Sequence, residues 1–167
     1  MTFNNNKSYP NKQSSYNVNN NYGNKSFNNK INSQNFKVHF NENDVIIGEG
    51  GKDYVDLAKE IINNINKEKL TTSKIRNILS MLSEIYKLIV VSGEKELSVD
   101  NQNQLQYFKI RCLYEAGREE AVKDLIDNSN AVNLIKEIGN NKKRFVNYYH
   151  YFEALVSWHR YLGGKDN

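Results

Sequence analysis

From Tyr54 onward, apolar residues recur at steps of three and four; before Asp44 they follow no period. Tyr54, Leu57, Ala58, Ile61, Ile62 and Ile65 mark one face of a helix of about four turns. Thr71, Thr72 and Ser73 then offer N-caps to a second helix, whose stripe is Ile75, Ile78, Leu79, Leu82, Ile85, Tyr86 and Ile89, with Gly93 at its end. A third helix is predicted from Ser98 or Asp100 to about Gly117. Its apolar residues (Leu105, Tyr107, Phe108, Ile110, Cys112, Leu113, Tyr114, Ala116) lie almost all round, which predicts a central position. A fourth helix, broken near Ser129, carries Ala121, Val122, Leu125 and Ile126, then Val132, Ile135 and Ile138, before Gly139 and Asn140 stop it. The last is the clearest: Phe145, Tyr148, Tyr149, Phe152, Leu155, Val156, His159 and Leu162 form its stripe, and Gly163 and Gly164 close it. Short connections between such helices imply an all-α fold, a compact bundle of about five helices.

Ahead of the bundle, residues 1–43 hold 15 asparagines and no leucine, and their aromatic residues (Phe3, Tyr9, Tyr16, Tyr22, Phe27, Phe36, Phe40) are spaced without helical or strand period. Such a segment buries too little to offset its ordering entropy, so the expectation is a disordered Asn-rich tail over 1–43 and a helical-bundle domain over 44–167. Its Tyr, Lys and Asn residues suit stacking on single-stranded RNA; polar low-complexity tails also occur without any specific ligand. The net charge of +4 comes mainly from this end. Residues 1–47 carry five lysines against two acids, and residues 48–167 carry 18 basic against 17 acidic residues. With the folded part nearly neutral, affinity for nucleic acid has to come from local basic clusters. The lone Cys112 excludes an intrachain disulfide framework. With no apolar signal core and no run of about 18 apolar residues, the expectation is a cytoplasmic protein without membrane attachment.

One stretch imitates a nucleotide site. In DVIIGEGGKD (44–53) a β-prone run meets glycines and Lys52. A phosphate-binding loop needs four residues between its first glycine and the Gly-Lys pair, and a hydroxyl after the lysine; here Gly48 and Gly51 are too close and Asp53 replaces the hydroxyl. His150 and His159, nine residues apart on one helix, face opposite ways and cannot share a metal; His159 reads as a hydrogen-bonded core residue and His150 as outward-facing. Glu115, Glu119 and Glu120 have basic neighbours, which describes solvated faces rather than a paired acid and base. The expectation is therefore no enzyme, no cofactor and no catalytic residue.

Basic residues stand in more informative places. Lys142, Lys143 and Arg144 fall in the first turn of the last helix, where the free N–H groups already make the site positive. Either an anionic partner such as a phosphate uses them, or they point into solvent at little cost. Tyr107, Arg111, Tyr114 and Arg118 form one stripe on the third helix, a track for an RNA strand; alternatively Arg111 pairs with Glu115 and the tyrosines belong to the core. On the second helix Arg76, Ser80, Ser83 and Lys87 form a polar face with Lys74 beside it.

Three segments, LTTSKIRNILSMLSEIYKL (70–88), LQYFKIRCLYEAGREEAVK (105–123) and KKRFVNYYHYFEALVSWHRYLGGK (142–165), together resemble the small subunit of type III-A CRISPR effector complexes, the Csm complexes. The resemblance runs from about Asp44 to the end of the chain and leaves out the Asn-rich tail. It implies a non-catalytic helical bundle, present in several copies, that lines the inner filament of a ribonucleoprotein in antiviral defence. The implied partners are guide RNA and target RNA, the backbone and large subunits, and further copies of itself. Carried onto this chain, the basic positions of those motifs are Lys74, Arg76, Lys109, Arg111, Arg118, Lys142, Lys143 and Arg144, expected to hold RNA by its backbone without reading bases. On that basis, Lys142→Glu with Arg144→Glu is expected to weaken RNA binding and leave the fold intact. The competing expectation is a helical interaction module that binds proteins and no RNA.

Overall fold

The computed structural model describes Met1, Thr2 and residues 36–166; the segment 3–35, on which most of the expected tail falls, lies outside the described residues. Among the described residues six α-helices follow a two-stranded hairpin and a single 3-10 turn (Glu49–Gly51): β1 (His39–Phe40), β2 (Ile46–Ile47), α1 (Tyr54–Asn64), α2 (Thr72–Val91), α3 (Val99–Arg118), α4 (Glu120–Asn128), α5 (Ala131–Ile138) and α6 (Lys142–Tyr161). The fold is an all-α bundle, as its periodicity predicts.

The centre of the bundle is α6. Phe145, Tyr148, Tyr151, Phe152, Leu155 and His159 are all buried, and the helix packs on α1, α2, α5 and β2. Against α2 the contact is aromatic, with the Tyr86 and Tyr149 rings stacked at 3.9 Å. α3, expected at the centre, packs on α2, α4 and α5 through one face only: Leu105, Phe108, Cys112 and Ala116. Apolar residues all round a helix equally describe one whose outer face is kept for another molecule, and the outer face here is open.

The break expected near Ser129 separates α4 from α5. Asn130 adopts the left-handed conformation (φ 53°), which Asn tolerates better than most residues. The broken turn is fixed from α6: the Tyr151 hydroxyl donates to the Ser129 carbonyl (3.2 Å) and the Tyr148 hydroxyl to that of Ala131 (3.0 Å). Tyr151 lies off the stripe read from the sequence, and a buried phenol of this kind is stable because its hydroxyl finds a backbone carbonyl.

Packing also reaches further toward the N-terminus than the boundary at residue 44. Val38, Phe40 and Ile46 are buried, β1 pairs antiparallel with β2, and the Asn130 side-chain amide donates to the Val38 carbonyl (2.7 Å). Three residues, with only the alternation Val38 and Phe40, are too short for a period to register. At the opposite end of the bundle the residues after α6 form a strap across the start of α2. The Thr72 N–H donates to the Lys165 carbonyl (2.7 Å), the Thr72 hydroxyl to that of Gly164 (3.1 Å) and the Ser73 hydroxyl to that of Asp166 (2.8 Å). Beneath the strap, His159 is wholly buried, its Nε2 2.6 Å from the Leu70 carbonyl.

Candidate nucleic-acid interface

A phosphate-holding surface needs cations that are not already consumed inside the fold, and the eight basic candidates divide sharply on this criterion. Asn141 caps α6, its side-chain oxygen accepting from the Arg144 N–H (3.1 Å), so the helix start is satisfied internally. Arg144 then bends back: its Nε donates to Asp44 Oδ1 (2.7 Å), its Nη1 to the Glu137 carbonyl (2.8 Å), and its guanidinium lies 5.3 Å from the Phe40 ring centroid. The hydrogen bond from Arg144 holds the Asp44 carboxyl below its ordinary range. Lys142 donates to the Glu94 carbonyl (2.9 Å) in the α2–α3 connection. Of the three cations, Lys143 alone is exposed. Two members of the cluster thus tie the hairpin and a loop to α6, and Lys143 faces solvent. Arg144→Glu would put two carboxylates together at Asp44, so the expectation of an intact fold for that variant is withdrawn.

At the other end of the bundle, Lys74 pairs with Glu119, and Arg76 stands 3.8 Å from Asp166. Lys109 lies about 200° around α3 from Tyr107, off the expected stripe. The structure therefore does not gather the eight residues into one patch. Antiparallel α2 and α6, each 20 residues, hold Lys142–Arg144 and Lys74–Arg76 apart by roughly 30 Å.

The stripe on α3 is different. Tyr107 and Tyr114 are 63% and 54% exposed, which excludes the reading that they belong to the core. The Arg111 and Arg118 guanidinium carbons lie 5.7 Å and 5.5 Å from the Tyr114 ring centroid, one on either side of it in sequence. Both arginines also reach Glu115, each at 3.6 Å. Glu115 is only 17% exposed, but both contacts are long and the Arg111 and Arg118 side chains keep 40% and 60% of their surface open, so the pairing restrains the guanidinium groups and leaves them accessible to a phosphate. From Tyr107 to Arg118 the stripe runs ~16 Å. Ile110 (60% exposed) and Leu113 (51%) widen the same face with apolar surface, and Val99 and, on α2, Leu88 and Val91 are exposed as well.

The other chemistry seen in the sequence resolves structurally. Asp53 N-caps α1 by accepting from the Val55 and Asp56 N–H groups (2.8 and 3.1 Å), which fills the position a phosphate would take, and Lys52 pairs with Glu60. The His159 ring is a hydrogen-bonded core residue, as read; desolvation in the core is the main cause that lowers its pKa. The Cys112 thiol is buried and pushed up to about 12, chiefly by desolvation. Among the described residues no three His, Cys, Asp or Glu side chains are placed to hold a metal ion, and no helix is long and apolar enough to cross a membrane.

Two features escaped the sequence reading. A groove of about 720 Å³ between α1 and α6 is lined by Tyr54, Val55, His150, Glu153, Trp158 and Tyr161, with Lys59 Nζ 5.1 Å from the Trp158 ring. The second is the pairing of Arg160 with Asp166 (2.8 Å) at the strap. The spacing of Trp158 and Tyr161 at three residues hinted at the first; nothing local signals the second.

The described residues define the class: a small all-α bundle that leaves an aromatic and apolar face of α3 open. Comparison with known proteins then places it. The profile of the type III-A Csm2 family matches residues 49–165. A Csm2 protein of the CRISPR system of Streptococcus thermophilus is 36% identical over 121 residues, 69% of this chain and 95% of that protein. Its counterpart in Enterococcus italicus is 38% identical over 99 residues, covering 58% and 71%, and that of Mycobacterium tuberculosis 31% over 118 residues, covering 68% and 94%. The chain belongs to the Csm2 type III-A family, the small subunit of the type III-A CRISPR effector complex.

Proposed function

We propose that this chain is a non-catalytic, cytoplasmic subunit that lines the inner filament of the type III-A complex and steadies guide RNA and target RNA by contacts to their backbones. Its packed domain includes Val38 and Phe40, ahead of the boundary read from the sequence, with the Asn-rich tail preceding it in the chain. The observation that carries the RNA reading is the exposed Tyr107–Arg111–Tyr114–Arg118 stripe, where cations and aromatic faces alternate without a base-reading arrangement. Few contacts per copy suffice, since neighbouring copies and the backbone subunit hold each one in place and raise its effective concentration on the strand.

In the assembled complex, Arg111→Glu with Arg118→Glu is expected to weaken target-RNA binding by at least ~10-fold at moderate salt and to reduce the slope of log affinity against log salt by about two. An unchanged salt series would remove the stripe from the RNA path. A second reading rests on the exposed Ile110 and Leu113, which suit a protein partner on the same face. If the double reversal leaves RNA binding intact and the subunit instead drops out of the complex, that reading replaces the first.

A further inference from the structure

The groove between α1 and α6 is walled by aromatic rings and holds a charge that the fold leaves unmatched. Tyr54 and Val55 of α1 face Ala154, Trp158 and Tyr161 of α6 across a volume of about 720 Å³, and Glu153 lines the same groove. Trp158 and Tyr161 meet edge to face, with ring centroids 5.4 Å apart at 84°, so their π faces point in nearly perpendicular directions. Tyr161 and Val55 stay exposed. Lys59 Nζ stands 5.1 Å from the Trp158 ring centroid, within the ~6 Å over which a π face attracts a cation.

Glu153 is half-buried, and a carboxylate that has lost part of its hydration is held at least cost beside a cation. The other half-buried carboxylates among the described residues follow that rule. Asp44 pairs with Arg144, Glu60 with Lys52, Glu115 with Arg111 and Arg118, and Glu119 with Lys74. Asp124 has Lys123 and Lys69 near enough to offset its charge. Glu153 has no ion pair among the described residues: Lys59 stays over Trp158, and the polar neighbour of Glu153 is the uncharged Tyr149 hydroxyl. A carboxylate half out of water beside two perpendicular aromatic faces suits a planar cation. A guanidinium group stacks on a ring and directs its N–H groups at a carboxylate in the same plane, which an ammonium cannot do. The negative charge of Glu153 also repels a phosphate chain, in contrast to the basic stripe on α3.

We infer that the α1–α6 groove is the docking site for an arginine side chain carried by a protein partner, with the guanidinium stacked on the Trp158–Tyr161 wall and hydrogen-bonded to Glu153. Apolar neighbours of that arginine rest on Val55 and Ala154. Trp and Tyr on one side and Arg on the other is the combination that dominates the energetics of protein interfaces. The site goes beyond the RNA reading and stands independently of it, since the stripe belongs to α3 and the groove to α1 and α6.

Trp158 is the only tryptophan of the chain, so its emission reports the groove directly. The full chain is titrated with the capped peptide Ala-Arg-Ala, with its citrulline counterpart, which keeps the shape and loses the charge, and with polyuridine RNA. The arginine peptide is expected to shift Trp158 emission with a dissociation constant in the millimolar range, and the citrulline peptide to bind at least ~5-fold more weakly. Glu153→Gln should weaken the arginine peptide ~5–10-fold and leave the citrulline peptide unchanged. Tyr161→Ala, at an exposed position, should weaken the arginine peptide with the circular dichroism unaltered. Equal binding of the two peptides, or no response to the arginine peptide up to ~50 mM, overturns the site. If polyuridine shifts the emission and the arginine peptide does not, the groove is a base-stacking surface and the proposal falls. In the assembled complex, Glu153→Arg is expected to lower the amount of this subunit retained by at least ~3-fold, and full retention would show that no partner's arginine sits there.

Discussion

Gly164→Ala offers the most demanding test of how the C-terminal strap is built. A Cβ at this position would lie 2.1 Å from His159 Cε1, 2.3 Å from its Nδ1 and 2.7 Å from its main-chain oxygen, all far inside contact distance. The ring cannot simply swing aside, being fully buried with Nε2 bonded to the Leu70 carbonyl. Two responses remain. If the ring moves, the structure loses that bond, leaves a buried carbonyl unpaired and strains the core, at ~2–6 kcal/mol in all. If the strap lifts instead, it loses the bonds Thr72 N–H to Lys165, Thr72 hydroxyl to Gly164 and Gly164 N–H to His159, about 3 kcal/mol at ~1 kcal/mol each. The cheaper route, at ~2–3 kcal/mol, sets the cost, and reduced freedom of the unfolded chain returns ~0.4–1 kcal/mol, leaving a net loss of about 1–2.6 kcal/mol. Gly163→Ala separates space from backbone conformation: Gly163 has φ +88° and nothing within 4 Å of its would-be Cβ, so strain alone acts there, at ~1–2 kcal/mol. Urea unfolding followed by Trp158 fluorescence reads both values, with the slope unchanged. A Gly164→Ala protein within ~0.5 kcal/mol of wild type, with an unshifted His159 ring signal, would refute the packing argument.

Two further outcomes follow from the same contacts. Burial lowers the His159 pKa, against the raising effect of the Leu70 carbonyl, so the unfolded chain takes up a proton more readily than the folded one. Its contribution to stability is complete above the unfolded value of about 6.5 and is lost as pH falls through the folded value; the urea midpoint should drop on acidification over that window, and an unchanged midpoint from pH ~7.5 to ~5 would contradict it. Arg144→Ala should lower the melting temperature by releasing the hairpin from α6, whereas Lys143→Ala, three atoms of backbone away but pointing outward, should stay within ~0.5 kcal/mol; equal effects would show that Arg144 is no tie.

Most of the architecture is written in local spacing. The caps Thr71 and Ser98 and the steps of three and four between apolar residues define helices whose starts the structure keeps within a residue or two, because both signals act within one or two turns. The break at Ser129 was legible for the same reason. What spacing does not carry is which apolar residues find a neighbour. α3 and α6 are both rich in aromatic residues, yet α6 is enclosed and α3 leaves Tyr107, Ile110, Leu113 and Tyr114 open, and only packing distinguishes them.

The basic residues show the same division. Sequence determined that cations cluster at the start of α6, on α3 and on α2, and the motifs around them determined the family. Whether each is free was decided in three dimensions, by partners about 100 residues distant for Arg144 (Asp44) and about 45 for Lys74 (Glu119). A charge's availability depends on what stands within a few ångströms of it, and separation along the chain has no bearing on that distance once the helices pack. The α3 stripe kept its cations because its nearest carboxylate, Glu115, belongs to the same helix and pairs weakly at 3.6 Å, whereas tertiary folding brought Asp44 to Arg144 at 2.7 Å.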